Sequence, residues 1–249
     1  VSAYPNPGTF SVKLTVTTTA GCVDSLSQPI TIHPKPTVDF SFPATTCFGN
    51  DVQFTNASTI VSGSITSYLW DLDNSQTSTS TNPLVSYTTH GDFNVQLTAT
   101  SNFGCSNSIQ QTVTVHPLPS VDFNVSDGCE GTLTSFQNLS SIANGFMTYN
   151  WSFGNGNAST LINPQITYAA DNTYNVLLEA TSNENCVSTL IQPVTIHPTP
   201  VIDFTAGNDC LYDSIYYISS VANSPTNTYL WNFGDGNTST AANPAHLFT

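Results

Sequence analysis

The sequence predicts an all-β protein made of tandem two-sheet sandwiches, and three observations predict it. Independent markers recur at one interval of about 82 residues, apolar and polar residues alternate with period two, and no stretch carries a helical stripe. The interval is set by His33-Pro34-Lys35-Pro36-Thr37-Val38-Asp39-Phe40, which returns as His116-Pro117-Leu118-Pro119-Ser120-Val121-Asp122-Phe123 and as His197-Pro198-Thr199-Pro200-Val201-Ile202-Asp203-Phe204. Trp70, Trp151 and Trp231 keep the same beat, as do Cys47, Cys129 and Cys210, and Cys22, Cys105 and Cys186.

The markers divide the chain into residues 1–35, the back of one unit; 36–118 and 119–199, two complete units; and 200–249, the front of another. Tyr4 and Phe248 both align with Tyr87, so the two partial units break at nearly the same place. The simplest expectation is a window on a longer array; the alternative is a subunit whose half-units complete each other between neighbours. Within a unit, Phe93, Val95, Leu97 and Ala99 alternate with Asn94, Gln96 and Thr98. Phe10 to Val16 and Tyr174 to Ala180 repeat the pattern, which is that of a strand with one buried face. Gly91, Asn102-Phe103-Gly104 and Asn155-Gly156 punctuate as turns. Seven short strands in about 82 residues suit a two-sheet sandwich.

Composition excludes several functions. Lys and Arg number two, Lys13 and Lys35, and the formal charge is −14. Phosphate contacts need Lys and Arg, so neither nucleic acid nor an anionic membrane surface is an expected partner. No apolar run reaches 18 residues, so no membrane insertion is expected. Six cysteines without a CxxC pair point to an oxidising compartment rather than to zinc.

The stretch Tyr229-Leu230-Trp231-Asn232-Phe233-Gly234-Asp235-Gly236-Asn237 resembles the signature of the polycystic-kidney-disease (PKD) domain, in which W-x-F-G-D-G is followed by N-P and then G-x-Y-x-V-x-L. Trp151 to Gly156 match with Asn155 in place of Asp, whereas Trp70-Asp71-Leu72-Asp73-Asn74-Ser75 is degraded. Asn82-Pro83, Asn163-Pro164, Asn243-Pro244, Gly91 to Leu97 and Gly8 to Leu14 complete the likeness, which runs through every unit. It implies tandem immunoglobulin-like (PKD-type) seven-strand β-sandwich domains in a head-to-tail array. Arrays with cysteines at these places resemble large secreted or surface proteins of Bacteroidota, many exported by the type 9 system, which implies a cell-surface location and a role in adhesion or in a filament.

Candidate site residues follow. Trp70, Trp151 and Trp231 sit mid-strand between aromatic or aliphatic neighbours and are expected in the cores. No Ser/His/Asp grouping recurs, so no enzyme is expected and no catalytic or cofactor-binding residue is assigned. His33, His116 and His197 stand before Pro at the unit boundaries and are expected to serve the joints; His90 and His246 fall at non-equivalent places. Asp71, Asp73 and Asp235 are weak calcium candidates, because calcium needs six to eight oxygens and each turn offers one or two carboxylates. Asp24-Ser25-Leu26 and Asp213-Ser214-Ile215 resemble an O-glycosylation motif of Bacteroidota, which makes Ser25 and Ser214 candidates. Tyr212, Tyr216 and Tyr217 are the one aromatic cluster that suits surface glycans as a partner.

The cysteines carry the sharpest expectation. Cys47 precedes the second strand and so lies at one pole; Cys105 follows the turn after the sixth strand and so lies at the other. A six-residue strand spans roughly 20 Å, while bridged Cα atoms lie within about 7 Å. Head-to-tail stacking then pairs Cys47 with Cys186, and leaves Cys22, Cys105, Cys129 and Cys210 to neighbouring units of the same or identical chains. Pairs within units, Cys47–Cys105 and Cys129–Cys186, remain the alternative if a bulge shifts a pole. With two prolines in each short linker, the expected array is nearly straight, a rigid stalk or filament. The alternative function is an accessory binding module of a secreted polysaccharide- or protein-degrading enzyme.

Overall fold

The computed structural model describes residues 4–207, 210, 213–220 and 227–248. All its regular elements are strands. An amino-terminal hairpin joins β1 (Gly8–Thr17) to β2 (Val23–Ile32). There follow β3 (Phe40–Ser41), β4 (Thr46–Cys47), β5 (Asp51–Gln53), β6 (Thr55–Asn56), β7 (Ile65–Asp71), β8 (Thr77–Ser78), β9 (Leu84–Ser86), β10 (Gly91–Ser101) and β11 (Ser106–His116). The set then repeats as β12 (Phe123–Asn124), β13 (Gly128–Cys129), β14 (Leu133–Ser135), β15 (Gln137–Asn138), β16 (Met147–Ser152), β17 (Ala158–Ser159), β18 (Gln165–Thr167), β19 (Asn172–Ser182) and β20 (Val187–His197). The last elements are β21 (Phe204–Ala206), β22 (Ser214–Ser219), β23 (Trp231–Asn232), β24 (Thr238–Ser239) and β25 (Ala245–Leu247).

In each complete unit one sheet has five strands, β4-β11-β10-β7-β8 and β13-β20-β19-β16-β17. The facing layer is made of the short ladders β3-β6 and β5-β9, and β12-β15 and β14-β18. Counting β3 with β4 and β5 with β6 as single interrupted strands gives a seven-strand sandwich. The first strand changes sheets at Pro43, whose missing N–H cannot continue a ladder. It begins at Phe40, because Val38 packs its side chain while only Thr37 bridges to Thr59.

The second strand breaks at an aromatic residue, and the Asn-Pro motif repairs the break. Phe54 donates its N–H to the Pro83 carbonyl (3.0 Å), and Asn82 Oδ1 accepts the Asn56 N–H (2.8 Å). Phe136 with Pro164 and Asn138 with Asn163 repeat both bonds, as do Tyr217 with Pro244 and Ser219 with Asn243. The N–H groups of Phe54 and Asn56 are thus paired where the ladder breaks.

Two separate cores result. Trp70 and Trp151 are fully buried, and each meets a Phe ring edge-on at 5.1 Å, Phe40 and Phe123 respectively. Each indole N–H donates to the carbonyl ten residues on, Ser80 and Leu161, both at 2.9 Å. A buried polar handle is therefore satisfied. Trp231 makes the same bond to Ala241 (2.8 Å) and meets Phe204 at 5.2 Å, but it is only half-buried. That departs from a core position: β10 and β19 flank the strands of the other two tryptophans within the sheet, and among the described residues no such strand pairs with β23.

The turn after each tryptophan needs left-handed backbone. Gly154 (φ 75°) and Gly156 (φ 89°) supply it in one unit; Asp73 (φ 58°) and Ser75 (φ 63°) take the same places in the degraded copy. A Cβ at Gly154 would lie 2.9 Å from the Asn175 carbonyl. In the other unit Asp73 turns that close approach to use, accepting the Asn94 N–H on Oδ2 at 2.7 Å.

Candidate functional site

The site is the joint between repeats, built from two recurring turns. One follows the sixth strand. Ser101 N–H donates to the Cys105 carbonyl, Ser182 to Cys186 and Thr18 to Cys22, each at 2.9 Å. The hydroxyl of the same residue accepts the cysteine N–H in all three turns (3.1–3.2 Å). Gly104, Asn185 and Gly21 carry the required positive φ. Cys22, Cys105 and Cys186 therefore leave the backbone from one and the same loop.

The second turn follows the sheet switch of the first strand. Cys47 stands opposite His116 in a parallel pairing and Cys129 stands opposite His197. Phe48 N–H donates to the His116 carbonyl (2.8 Å) and Glu130 N–H to that of His197 (2.9 Å). The Cys47, Cys129 and Cys210 carbonyls each accept the N–H three residues on. These three cysteines also share one loop.

Across the joint between β11 and β12, Cys47 is bonded to Cys186, with Cα atoms 5.7 Å apart. The within-unit pairs Cys47–Cys105 and Cys129–Cys186 are not formed, and Cys22, Cys105, Cys129 and Cys210 are free thiols. The reason is distance. Cys105 precedes β11 and Cys47 lies opposite its far end, eleven residues or about 36 Å away.

The joint histidines add contacts. His33 stacks on Phe103 of the following unit (centroids 3.8 Å apart, planes within 9°), and the Cys105 sulfur lies 4.0 Å from the His33 carbonyl. At the next joint His116 Nε2 lies 3.9 Å from Glu184 Oε2. His197 instead faces Asp127 of its own unit at 3.9 Å. The first two linkers are packed rather than loose: Pro34, Pro36 and Pro119 are buried, and Asn107 Nδ2 donates to the Pro36 carbonyl (3.0 Å), whereas Pro198 and Pro200 of the third are exposed. Gly63 and Gly145 shape the same pole, because a Cβ there would strike the amide oxygens of Asn102 and Asn183. Those oxygens accept the N–H groups of Ser64 and Phe146. A cleft of about 320 Å3 opens beside the disulfide-bonded joint, lined by His90, Asp92, His116, Asn144, Asn183 and Glu184. The ring stack escaped sequence reading; its one signal was an aromatic residue, Phe103, in an otherwise polar turn.

The other candidates stand apart from the joint. Asp71 Oδ1 accepts the Asp73 N–H (3.2 Å). Asp235 Oδ1 accepts the Asn237 N–H (3.0 Å), and Oδ2 meets His246 Nε2 at 2.7 Å. The Asn237 N–H first, and then the His246 ring, holds the Asp235 carboxyl down to about 2. His246 stacks on Phe233 at 4.1 Å. Carboxylates committed to turn N–H groups hold few free lone pairs, and among the described residues no three His, Cys, Asp or Glu side chains gather at metal-binding distance. Ser25 on β2 and Ser214 at the start of β22 are exposed. Tyr216 faces out of β22, whereas Tyr217 packs on Trp231 at 5.6 Å, so the two do not form a row; Tyr212 lies outside the described residues.

Comparison with known proteins agrees with this architecture. The family model for the PKD domain matches residues 33–117 and again 116–196. A pre-pro-metalloprotease, PrtV of Vibrio cholerae, is 43% identical over 79 residues, which is 30% of this chain and 9% of that protein. The crystal structure of the PKD1 domain of the same protease is 39% identical and covers 34% of this chain and 98% of that one, with a TM-score of 0.30. The PKD1 domain of Vibrio anguillarum Epp is 31% identical over 34% of this chain and 96% of that one, with a TM-score of 0.32.

Proposed function

This chain belongs to the PKD domain family, and from that premise we propose that it is a non-enzymatic segment of a stalk or filament that works outside the cell. PKD domains are non-catalytic extracellular modules. The observation that carries the reading is the Cys47–Cys186 bond across the joint. A bond between units adds nothing to a binding face, but it transmits tension from one unit to the next without loading the chain between Cys47 and Cys186. It also suits an oxidising compartment. The buried linker prolines and the His33–Phe103 stack support a stiff joint, and with it a nearly straight array divided as residues 1–35, 36–118, 119–199 and 200–249.

The partners of this reading are neighbouring repeats, of the same chain or of identical chains; surface glycans and adhesion belong to it only through the tip such a stalk would carry. The Bacteroidota likeness and type 9 export, with O-glycosylation at Ser25 and Ser214, are further parts of the proposal; the relatives named above come from Vibrio. Negative-stain imaging of the native protein tests it: particle length rising by one constant step per repeat supports the stalk, and compact particles contradict it.

One observation favours a second reading. PrtV is a protease, and its match to this chain spans 9% of its length, as expected if these units accompany a catalytic domain. One to four repeats beside a hydrolase domain in the native protein, with proteolytic or glycan-cleaving turnover, would favour the accessory module.

A further inference from the structure

We propose that the cleft beside the Cys47–Cys186 joint receives an arginine side chain of a partner protein, whose guanidinium stacks on His116 and pairs with Glu184. The inference goes beyond the stalk reading, because it needs the joint and not a fibre.

Two equivalent joints differ at one position. Phe103 stands two residues before Cys105 and Glu184 two residues before Cys186, in turns with the same hydrogen bonds. Each turn faces a linker histidine, His33 at the first joint and His116 at the second. At the first joint the space between turn and histidine is filled. The Phe103 ring lies flat on the His33 ring, centroids 3.8 Å apart, and also reaches Gly63, where an added Cβ would lie 2.7 Å from it. At the second joint His116 and Gly145 hold the places of His33 and Gly63, and Glu184 holds that of Phe103. All three line the open cleft of about 320 Å3.

Shape and charge together select the occupant. The slot suits a flat group, since a ring fills its counterpart at the first joint. It also carries carboxylates. Glu184 Oε1 accepts a hydrogen bond from Asn183 Nδ2 (2.8 Å), which orients the side chain, and Oε2 stops 3.9 Å from His116 Nε2, too far for a direct hydrogen bond. Asp92 lines the same cleft and accepts the Thr114 hydroxyl at 2.7 Å. A flat apolar ring would strip water from Glu184 and replace none of its hydrogen bonds. A guanidinium is flat, stacks on an aromatic face and donates to both oxygens of one carboxylate. A lysine ammonium brings the charge without the flat face or the paired donors. The 249 residues contain no Arg, and their two lysines, Lys13 and Lys35, lie before and within the first linker, so none of these residues supplies the group.

A second groove favours a protein over a free guanidino compound. It shares His90, Pro117 and Ile142 with the cleft and continues past Phe48, Leu118 and Pro119. Its walls are mainly apolar, so an extended peptide with arginine in the slot covers them with its flanking side chains, as in other sites where a few polar groups orient a ligand against apolar walls. A free guanidino compound leaves that groove uncovered.

The test titrates the oxidised 249-residue chain with three blocked probes: Nα-acetyl-arginine amide, Nα-acetyl-lysine amide and the acetylated, amidated tripeptide Leu-Arg-Leu. Calorimetry reads affinity, and NMR shifts of the His116 ring and the Asn183 side-chain amide read location. The arginine amide should bind at least about tenfold tighter than the lysine amide, and the tripeptide about tenfold tighter again. Glu184→Gln should weaken the arginine amide about tenfold. Glu184→Phe, on an exposed turn, rebuilds the filled slot of the first joint and should abolish binding without lowering the melting temperature. Equal affinity for arginine and lysine reduces the effect to attraction by net negative charge and overturns the proposal. Arginine binding that survives both Glu184 variants, or that leaves the His116 signals unmoved, overturns it too. A tripeptide no tighter than the arginine amide overturns the assignment to a partner protein in favour of a free guanidino compound.

Discussion

Pulling the chain from its two ends should expose the staple as hidden length. Force entering at residue 1 and leaving at residue 249 crosses from Cys47 to Cys186 through the disulfide, so the chain over that sequence separation of 139 residues bears no load. At about 3.5 Å per extended residue that is ~490 Å of chain. The assay is single-molecule extension in optical tweezers, with and without a thiol reductant, repeated on Cys47→Ser. The oxidised protein should fall short of the reduced protein by ~490 Å in final contour length, and Cys47→Ser should match the reduced protein in both conditions. Bonds within units would instead hide ~200 Å each, from sequence separations of 58 for Cys47 and Cys105 or 57 for Cys129 and Cys186. Equal lengths, or a difference near 200 or 400 Å, would refute the reasoning.

Three further outcomes follow from the units themselves. Tyr168→Phe should cost about 1 kcal/mol, because the hydroxyl donates to the Phe153 carbonyl (3.2 Å); Tyr87→Phe at the equivalent place should be neutral or stabilising, since its buried hydroxyl has no partner, and denaturant midpoints of the two variants check the contrast. Ser75→Gly should stabilise its unit by up to about 1 kcal/mol, because glycine adopts φ 63° without Cβ strain, less the entropy it adds to the unfolded chain; an unchanged or lowered melting temperature contradicts this. Asp235 has its folded carboxyl pKa depressed, so its contribution to stability is fully present above the unfolded value near 3.9 and is lost as pH falls toward about 2; carboxyl carbon NMR should show titration near 2, and a midpoint near 3.9 would contradict the His246 and Asn237 contacts.

The parts of this structure legible in the sequence are those with a period. Alternation from Phe93 to Ala99 specified a half-buried strand, and β10 is that strand, with Val95, Leu97 and Ala99 inward. The interval between tryptophans located two cores, in each of which the indole N–H donates to a carbonyl ten residues on. What lacked a period was hidden. The first strand splits into β3 and β4 because it serves both sheets, and the second splits at Phe54 because an Asn-Pro pair from a distant loop takes over its hydrogen bonds. Neither event leaves a mark within its own few residues. The joint was legible only in outline. Linker prolines and pole arguments placed the cysteines, but the burial of Pro34 and Pro36, the stack of His33 on Phe103 and the cleft beside Glu184 depend on how two units meet. Trp231 shows the converse limit: its sequence context resembles that of Trp151, and its exposure differs because burial belongs to the neighbouring strands rather than to the motif.

The most direct test of the stapled array is disulfide mapping of the oxidised chain. Lys13 is its only tryptic site, because Pro36 blocks cleavage after Lys35, so digestion is by pepsin at acid pH, which also prevents thiol exchange. Mass spectrometry should find a peptide pair joining Cys47 to Cys186. A pair joining Cys47 to Cys105, or Cys129 to Cys186, would contradict the account.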